Sequence, residues 1–488
     1  MKMTRLAALV LVALMLLSLI ACADSVENET RPQTGPDSGS VSESVADTDF
    51  FPNFEEQDYG GETLQMIGVR DAGVWVYGED YNSGNIHVLN NTLYEMNTMV
   101  EEYLGINIEY EYVQHITGKS VIFDQVKPSI MAGDDDYQLC ILPSYRNVAS
   151  FVTQAYVMDL YELEGLDFDQ PYWNREVIES LKIGDHAYLA QGDLCYCSVY
   201  PIYCNKDLMA KVGREMPYED VRNGSWTLDK YLAMTTELYA DANGNGQVDN
   251  KDIFGYTAVC DININCFMQA SGIQVVTRYD DGSFEFSLYN DRMISLYEKL
   301  YNWSKNQSVH MWNWGDEINQ TETVVVDFLD NRTYFTQAVL DTQFLEASFN
   351  VGILPLPKYD LAQTNYAHVN WGDNLVVPNT VKNTEMVSRA MELMAYYSRS
   401  VVMPKYYDDV LELRVSNAPD DREMVELIFD TLVFDPGIAY CDGNPQLFAL
   451  VYLPKECILA NQENITSYYE KNERSAMRYL SRHIYKLD

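Results

Sequence analysis

The chain has 488 residues, and its 73 acidic residues outnumber its 33 basic ones, which gives a formal net charge of −40. A field of that sign repels nucleic acid and other anionic polymers, so it argues against both as partners and favours a neutral ligand. A hydrophobic content of 47% fits a packed soluble globule, and a chain of this length suits two lobes better than one core.

The first residues have the features of an export signal. Lys2 and Arg5 give a basic start, and the apolar run over residues 6–21 is too short and one-sided for a membrane span. The run ends in the letters "LIAC", which resemble the lipobox of bacterial lipoproteins. The resemblance implies that residues 1–21 are a cleaved signal peptide and that Cys22 is lipidated, holding the protein on the outer face of the cell membrane. An ordinary signal peptide with a chance cysteine is the alternative.

Residues 22–50 differ in composition from everything that follows. The stretch "ENETRPQTGPDSGSVSESVADTD" is rich in Ser, Thr, Pro, Gly, Asp and Glu. It lacks the apolar surface that would offset the entropy of ordering. The sequence therefore predicts a flexible tether with a mean reach on the order of 30 Å, and a folded part that begins near residue 51.

The first folded region alternates strand and helix signals. Residues 63–69 predict a strand, residues 90–103 a helix that stops at Gly105, residues 106–113 an alternating strand, and residues 137–142 a buried strand. Strands that alternate with helices imply a mostly parallel α/β sheet.

After Asn205 the pattern changes. A capped amphipathic helix is predicted with Thr227 as its N-cap, and an acidic loop follows at its end. Residues 332–339 and 350–360 restore a strand–helix–strand pattern, and the chain from Thr384 onward is predicted to be mainly helical.

The acidic loop "DANGNGQVDNKD" resembles an EF-hand calcium loop. Such loops supply oxygens at positions 1, 3, 5, 7, 9 and 12 and place glycine at position 6, here Gly246. The corresponding residues are Asp241, Asn243, Asn245, Gln247 through its carbonyl, Asp249 and Asp252. Aspartate replaces the usual glutamate at position 12, which leaves the affinity open.

The role of this predicted Ca²⁺ follows from its ligands. Hard oxygens close around the ion and leave little room for a substrate, whereas a catalytic metal needs an open position. A calcium sensor normally pairs two such hands, and the sequence has one. We therefore predict a structural ion. An uncharged polar turn is the alternative.

Five segments in chain order resemble one protein family. They are "MAGDDDYQLCI", "QPYWNRE", "MPYEDVRNGSWTLDKY", "DANGNGQVDNKDIFGYT" and "VGILPLPKYD". Together they are similar to bacterial extracellular solute-binding proteins that feed ABC importers, in particular a carbohydrate-type, family 1-like branch carried as lipoproteins. The resemblance runs from about residue 60 to the C-terminus. It implies a type II periplasmic-binding-protein fold, in which two α/β lobes are joined by hinge segments and hold ligand in the cleft between them.

The resemblance also gives domain boundaries and partners. Lobe 1 is expected over residues 51–200 plus about 333–372, and lobe 2 over about 201–332 plus 373–488, which includes the calcium loop. The partners are then the membrane subunits of an ABC importer and a small solute, most simply a mono- or oligosaccharide. The protein itself is expected to be a monomer that closes around its ligand.

Aromatic residues are the natural candidates for contacts to a sugar. Sugar sites combine flat aromatic faces with fixed polar groups, and the chain has 37 Tyr and 7 Trp. The candidate ligand residues are Trp75, Tyr77, Trp173, Asp193, Tyr200, Trp312, Trp314, Asn370, Trp371 and Asp373. Each could instead be a surface or hinge residue. Trp226 and Trp303 are predicted to be packing residues.

The sequence predicts no enzyme. A nucleophile elbow, a Walker loop, a dinucleotide fingerprint and a HExxH motif are all absent from it. A glycosidase stays open as an alternative, because its carboxylate pair is defined in space and not by a motif. A sensor or adhesin on the same fold is the other alternative. The eight cysteines beyond Cys22 are expected to be buried small hydrophobes or to form one or two incidental bridges.

Overall fold

The computed structural model of the protein describes residues 50–55, 57–70, 90–114, 121–143, 147–195, 197–279, 283–312, 326–340, 344, 347–407 and 418–485. The predicted export signal with Cys22, the tether, Trp75, Tyr77 and Trp314 lie outside these residues. Within the described ranges, no helix combines the length and the apolar character that crossing a bilayer requires.

Strands and helices alternate through the first part of the chain, and helices dominate its end. The strands are β1 (Glu62–Arg70), β2 (Ile106–Gln114), β3 (Leu139–Pro143), β4 (Ile202–Asn205), β5 (Phe254–Val259), β6 (Val276–Arg278), β7 (Phe284–Phe286), β8 (Val309–Trp312), β9 (Thr333–Gln337), β10 (Val351–Leu354), β11 (His368–Val369), β12 (Asp373–Val376) and β13 (Leu432–Val433). The helices are α1 (Asn90–Leu104), α2 (Val121–Ala132), α3 (Val148–Thr153), α4 (Arg175–Leu181), α5 (Lys206–Lys211), α6 (Tyr218–Arg222), α7 (Leu228–Thr236), α8 (Ile262–Ala270), α9 (Asp291–Ser304), α10 (Thr384–Tyr397), α11 (Met403–Tyr407), α12 (Pro419–Asp430), α13 (Pro436–Ala439), α14 (Pro445–Val451), α15 (Leu453–Leu459) and α16 (Thr466–His483).

The first sheet has the strand order β12-β3-β1-β2. β1 pairs in parallel with both β2 and β3, whereas β12 runs antiparallel to β3. Leu64 and Ile67 point to opposite faces of β1, and both are fully buried. Burial on both faces is typical of a parallel sheet covered by helices, so the predicted strand–helix alternation is confirmed here.

The second sheet has the strand order β10-β4-β9-β5-β8. β5 is parallel to β8 and β9, and β4 is antiparallel to β9 and β10. This order corrects the predicted lobe boundaries, which gave residues 333–372 to lobe 1 and residues 373–488 to lobe 2. β9 and β10 belong to the second sheet, because the buried β9 needs β4 and β5 as neighbours on its two edges, and β12 belongs to the first sheet.

The tryptophans predicted to pack do so. Trp226 has no exposed surface, and its Nε1 donates to the carbonyl of Pro355 at 2.9 Å. Trp303 is also buried, and its Nε1 donates to Thr235 Oγ1 at 2.8 Å. Thr227 occupies the predicted N-cap position of α7, but its side chain accepts no capping hydrogen bond. Packing against the core, more than capping, therefore fixes the start of α7.

The cysteines of the described residues behave as small core side chains. Seven of the eight are buried, and Cys197 is partly exposed. No disulfide forms among them, so the expectation of buried small hydrophobes is confirmed for this part of the chain.

The C-terminal helices contact both sheet-bearing halves of the protein. On the side of the first sheet, the Tyr440 hydroxyl donates to the carbonyl of Leu181 at 2.7 Å. On the side of the second sheet, Lys455 pairs with Asp261 at 3.0 Å, just before α8. The predicted helical C-terminus is confirmed, and it joins the two halves rather than belonging to one of them.

Candidate functional site

Two segments of the chain pass between the sheets side by side. One leads into β4 and contains Ser198; the other leads into β12 and contains Asn370 and Trp371. The backbone N–H of Ser198 donates to Asn370 Oδ1 at 2.9 Å, and the N–H of Gly372 donates to the same oxygen at 2.8 Å. The N–H of Trp371 donates to the carbonyl of Ser198 at 2.8 Å. One side-chain oxygen therefore joins the two crossing segments.

A chain of side-chain amides ties these crossings to the first sheet. Asn370 Nδ2 lies 3.4 Å from Gln191 Oε1, and Gln191 Nε2 donates to Asn374 Oδ1 at 3.0 Å. Gln191 and Asn374 are buried, and Asn374 is part of β12. Because buried amides are costly without partners, this chain fixes Asn370 in one orientation.

A cavity of about 370 Å³ opens beside Asn370. It is lined by Pro171, Trp173, Asn174, Arg175, Gln191, Gly192, Asp193, Cys195, Cys197, Asn370, Met403, Tyr406, Phe429, Asp430 and Leu432. This volume is at the small end of the range for small-molecule sites, roughly 300–1,000 Å³. Six of the fifteen lining residues have amide or charged side chains, so the cavity combines hydrogen-bonding groups with apolar and aromatic residues.

The walls of the cavity are attached to different sheets. The chain around Gln191 is bonded to β12 of the first sheet, as described above. A second part of the lining contains Phe429 and Asp430, at the end of α12. α12 is fixed to the second sheet by Asp421, a fully buried carboxylate that pairs with Lys206 and accepts the N–H of Ile353 at 3.0 Å. A change in the angle between the sheets would therefore open or close this cavity.

Trp173 is held in the cavity wall by a buried carboxyl group behind it. Its Nε1 donates to Glu392 Oε2 at 2.8 Å, and the Tyr172 hydroxyl donates to Glu392 Oε1 at 2.6 Å. Burial raises the pKa of Glu392 to about 7, although its three hydrogen-bond donors act in the opposite direction. Trp173 itself is 4% exposed, so its indole is fixed before any ligand arrives.

Asp193 supplies a carboxylate at the same cavity. Its Oδ2 accepts a hydrogen bond from Arg399 Nη1 at 3.0 Å, and the same Nη1 donates to the carbonyl of Pro171 at 3.0 Å. Burial raises the pKa of Asp193 to about 6, against the lowering effect of the guanidinium. Arg399 lies in a π-helical turn, Ser398–Val402, that follows α10. Sequence analysis missed Arg399, because nothing in the sequence marks such a turn.

The structure brings Trp173, Asp193 and Asn370 together, and the other described candidates lie elsewhere. Trp371 and Asp373 are in or beside a crossing segment, with 3% and 6% of their surface exposed. Tyr200 is in the other crossing, where its carbonyl accepts a hydrogen bond from Gln337 at 3.2 Å. Contact between these residues and a ligand stays a prediction.

Trp312 lies at the carboxyl end of β8 and is not part of the cavity wall. Its Nε1 donates to Asp327 Oδ2 at 3.1 Å, and its ring packs edge-to-face with the His310 ring, with the two ring centroids 4.6 Å apart. Ligand contact by Trp312 also stays a prediction.

Gln191 was missed by the sequence analysis, although it precedes the predicted Asp193 by two positions in "AQGDLC".

The predicted calcium loop folds tightly around its own carboxylates. Gly244 and Gly246 adopt φ angles of +69° and +71°, which glycine tolerates best. Asp241 accepts hydrogen bonds from the N–H groups of Gly244, Asn245 and Gly246 at 2.7, 3.2 and 2.8 Å. Asp252, at position 12, is fully buried. The loop therefore has the sharp turn that a calcium loop requires.

The side chains at the ligand positions lie close together but contact one another. Asn243 Nδ2 and Asn245 Nδ2 donate to Asp249 Oδ2 at 3.0 and 2.7 Å. Asp252 Oδ2 accepts the hydroxyl of Tyr239 at 2.7 Å. Within the described residues, no three Asp, Glu, His or Cys side chains are arranged as a metal site. The oxygen donor set suits Ca²⁺, and binding of the ion stays a prediction.

Comparison with known proteins identifies the fold. No family model and no curated protein matches the sequence. Among solved structures, the GacH receptor of Streptomyces glaucescens, studied unliganded and with acarbose, aligns with a TM-score of 0.56 at 14% identity, over 88% of this chain and 100% of that one. The maltose/maltodextrin-binding domain MalE of Bdellovibrio bacteriovorus, bound to maltotriose, gives 0.55 at 15% identity, over 86% and 100%.

A third similar structure is an ABC substrate-binding protein of Listeria monocytogenes in complex with cycloalternan. It aligns with a TM-score of 0.53 at 15% identity, over 84% of this chain and 99% of that one. Identities this low establish the fold and nothing finer. The predicted fold class is confirmed: the chain has the two-lobed α/β fold of periplasmic binding proteins.

Proposed function

We propose that this protein is an extracytoplasmic receptor that captures a small saccharide by closure of its two lobes and delivers it to an ABC importer. The observation that carries the proposal is a cavity whose two walls are attached to different sheets, in a chain that matches the full length of sugar-binding receptors. The neighbours are binding proteins, and the proposed function requires no catalysis.

The mechanism that these contacts support is hinge closure. The crossing segments, joined at Asn370 Oδ1, are the points at which the two halves can turn. Asp193 offers carboxylate oxygens to the hydroxyls of a sugar, and Trp173, held by Glu392, contributes a rigid apolar part of the cavity lining. The closed state is selected because only there does the α12 wall also contact the ligand.

A structural calcium ion is part of the proposal. The residues that would hold it are Asp241, Asn243, Asn245, Gln247 through its carbonyl, Asp249 and Asp252. The loop is closed at its base by a pair of hydrogen bonds between Ala240 and Ile253, at 3.0 and 2.9 Å. When bound, the ion would neutralise the clustered carboxylates and stiffen the connection between α7 and β5.

The location of the receptor rests on the N-terminal sequence. The basic start, the apolar run and the lipobox-like letters before Cys22 support an exported lipoprotein, tethered by residues 22–50. A monomer with a tether suits delivery to membrane subunits of an importer.

A thermal-shift screen against mono- and oligosaccharides tests the proposal on the exported part of the chain, residues 22–488. A ligand at ~100 times its dissociation constant should add about 2.7 kcal/mol to the free energy of unfolding, and small-angle scattering should show a more compact liganded state. Product formation during incubation, or failure of every saccharide to bind, would contradict the proposal.

Trp173→Phe should weaken binding of the saccharide that the screen identifies, and Trp226→Phe is its matched control. Both residues are buried and each donates one hydrogen bond through Nε1, so the two substitutions should lower stability to a similar degree. Only Trp173 borders the cavity. Equal effects of the two variants on the dissociation constant would mean that the ligand binds elsewhere.

A further inference from the structure

The cavity beside Asn370 has an acidic rim. Asp193 lies on one wall, and Asp430 lies on the other as the last residue of α12. The Asp430 side chain is exposed and makes no hydrogen bond or ion pair with any described residue. The C-terminal end of a helix carries a partial negative charge, so α12 adds to the field of these two carboxylates.

The two arginines at this cavity, Arg175 and Arg399, each pair with a carboxylate. Arg175 is the one base among the described residues that line it, and it pairs with Asp169 at the surface. Arg399 stands behind Asp193 and is paired with it. Because each guanidinium has a carboxylate partner, the Arg399–Asp193 and Arg175–Asp169 pairs are each near neutral, and Asp430 leaves the described lining with a net negative charge. The net charge of the whole chain, −40, also repels anionic ligands.

Because ionised carboxylates only accept hydrogen bonds, they favour ligands that carry hydrogen-bond donors. A sugar hydroxyl can donate to Asp193 or Asp430, and an ammonium group can donate with the added attraction of its charge. A carboxylate or phosphate on the ligand carries negative charge at neutral pH and is repelled.

We propose that this cavity selects short saccharides that are neutral or carry an amine, and that Asp193 and Asp430 exclude saccharides that carry a carboxylate or phosphate. This inference rests on the proposed function and narrows its ligand class. The cavity volume of about 370 Å³ suits a ligand of about one or two sugar rings.

The test is a binding screen at neutral pH with mono- and disaccharides of several ring stereochemistries. Each ring is supplied in a neutral, an amine-bearing and a carboxylate- or phosphate-bearing form. We expect the tightest binder to be neutral or amine-bearing, and its anionic analogue to bind at least ~10-fold more weakly. An anionic form that binds as tightly as its neutral analogue would overturn the inference.

The double variant Asp193→Asn/Asp430→Asn assigns the effect to the rim. It removes both carboxylates and leaves Arg399 without its partner, so discrimination against the anionic analogue should shrink to within ~3-fold. Glu215→Gln is the matched charge control, because Glu215 is exposed and lies outside the cavity wall; it should retain the full discrimination. Unchanged discrimination in the double variant would overturn the assignment. If no saccharide of any charge class binds, the proposed function fails and this inference fails with it.

Discussion

Asn370 Oδ1 accepts the N–H groups of Ser198 and Gly372 at 2.9 and 2.8 Å and so joins the two crossing segments. Asn370→Ala removes the acceptor and leaves two backbone donors in a setting where Ser198 is 8% exposed. An unsatisfied buried donor costs about 1–3 kcal/mol, and both Ser198 and Gly372 are buried. We therefore expect the free energy of unfolding to fall by about 2–4 kcal/mol.

Urea unfolding of residues 22–488, followed by tryptophan fluorescence, measures this loss. Asn370→Asp keeps an oxygen in place and should cost less than half as much as the alanine substitution. Asn379→Ala is the control for loss of an exposed amide bond, since Asn379 Nδ2 donates to the carbonyl of Ala155 at the surface; it should cost under about 1 kcal/mol. An Asn370→Ala loss no larger than that of Asn379→Ala would refute the view that this oxygen joins the crossings.

Chelation of calcium should lower the melting temperature while ligand affinity stays within a few-fold, and Asp241→Asn/Asp249→Asn should abolish that shift; loss of all ligand binding in folded, calcium-free protein would show that the ion has more than a structural role. Burial lowers the pKa of His368 to about 3 from 6.5, and its Nε2 accepts the N–H of Leu356 at 3.0 Å. The folded state thus favours the neutral ring, so the stability from His368 is complete above pH 6.5 and is lost as pH falls from there towards 3. At pH 5 the free energy of unfolding should therefore be about 2 kcal/mol lower than at neutral pH. His368→Gln should flatten this part of the pH–stability curve. Equal slopes for the wild-type protein and the variant would contradict this role of His368.

Secondary structure and fold class were predictable because they depend on local periodicity. The expected helix over residues 90–103 is observed at Asn90–Leu104, and the expected strand over residues 63–69 at Glu62–Arg70. Sheet membership was not predictable in the same way. β9 pairs with β4 and β5, which are far away in sequence, and the hydrophobic pattern of a strand does not state which neighbours it takes.

Site residues were harder to predict for a related reason. Trp173 was expected to contact ligand and Trp226 to pack, and the structure shows both to be buried, with Trp173 also bordering a cavity. Asn370 was expected to contact ligand, yet its oxygen is occupied by the backbone of the crossings. Arg399 reaches Asp193 from a π-helical turn, a feature that residue spacing does not reveal.

The C-terminal helices place a mechanical limit on any opening of the protein. Tyr440 holds them to Leu181 in one half, and Lys455 holds them to Asp261 in the other. The halves are thus connected through the C-terminal helices as well as through the two crossings, and these added contacts should limit how far the halves rotate relative to each other. Because the two halves sample few relative orientations, a ligand loses little affinity when it restricts their motion. We therefore expect the ligand-free protein to open by a small angle, rather than to let its two halves move independently.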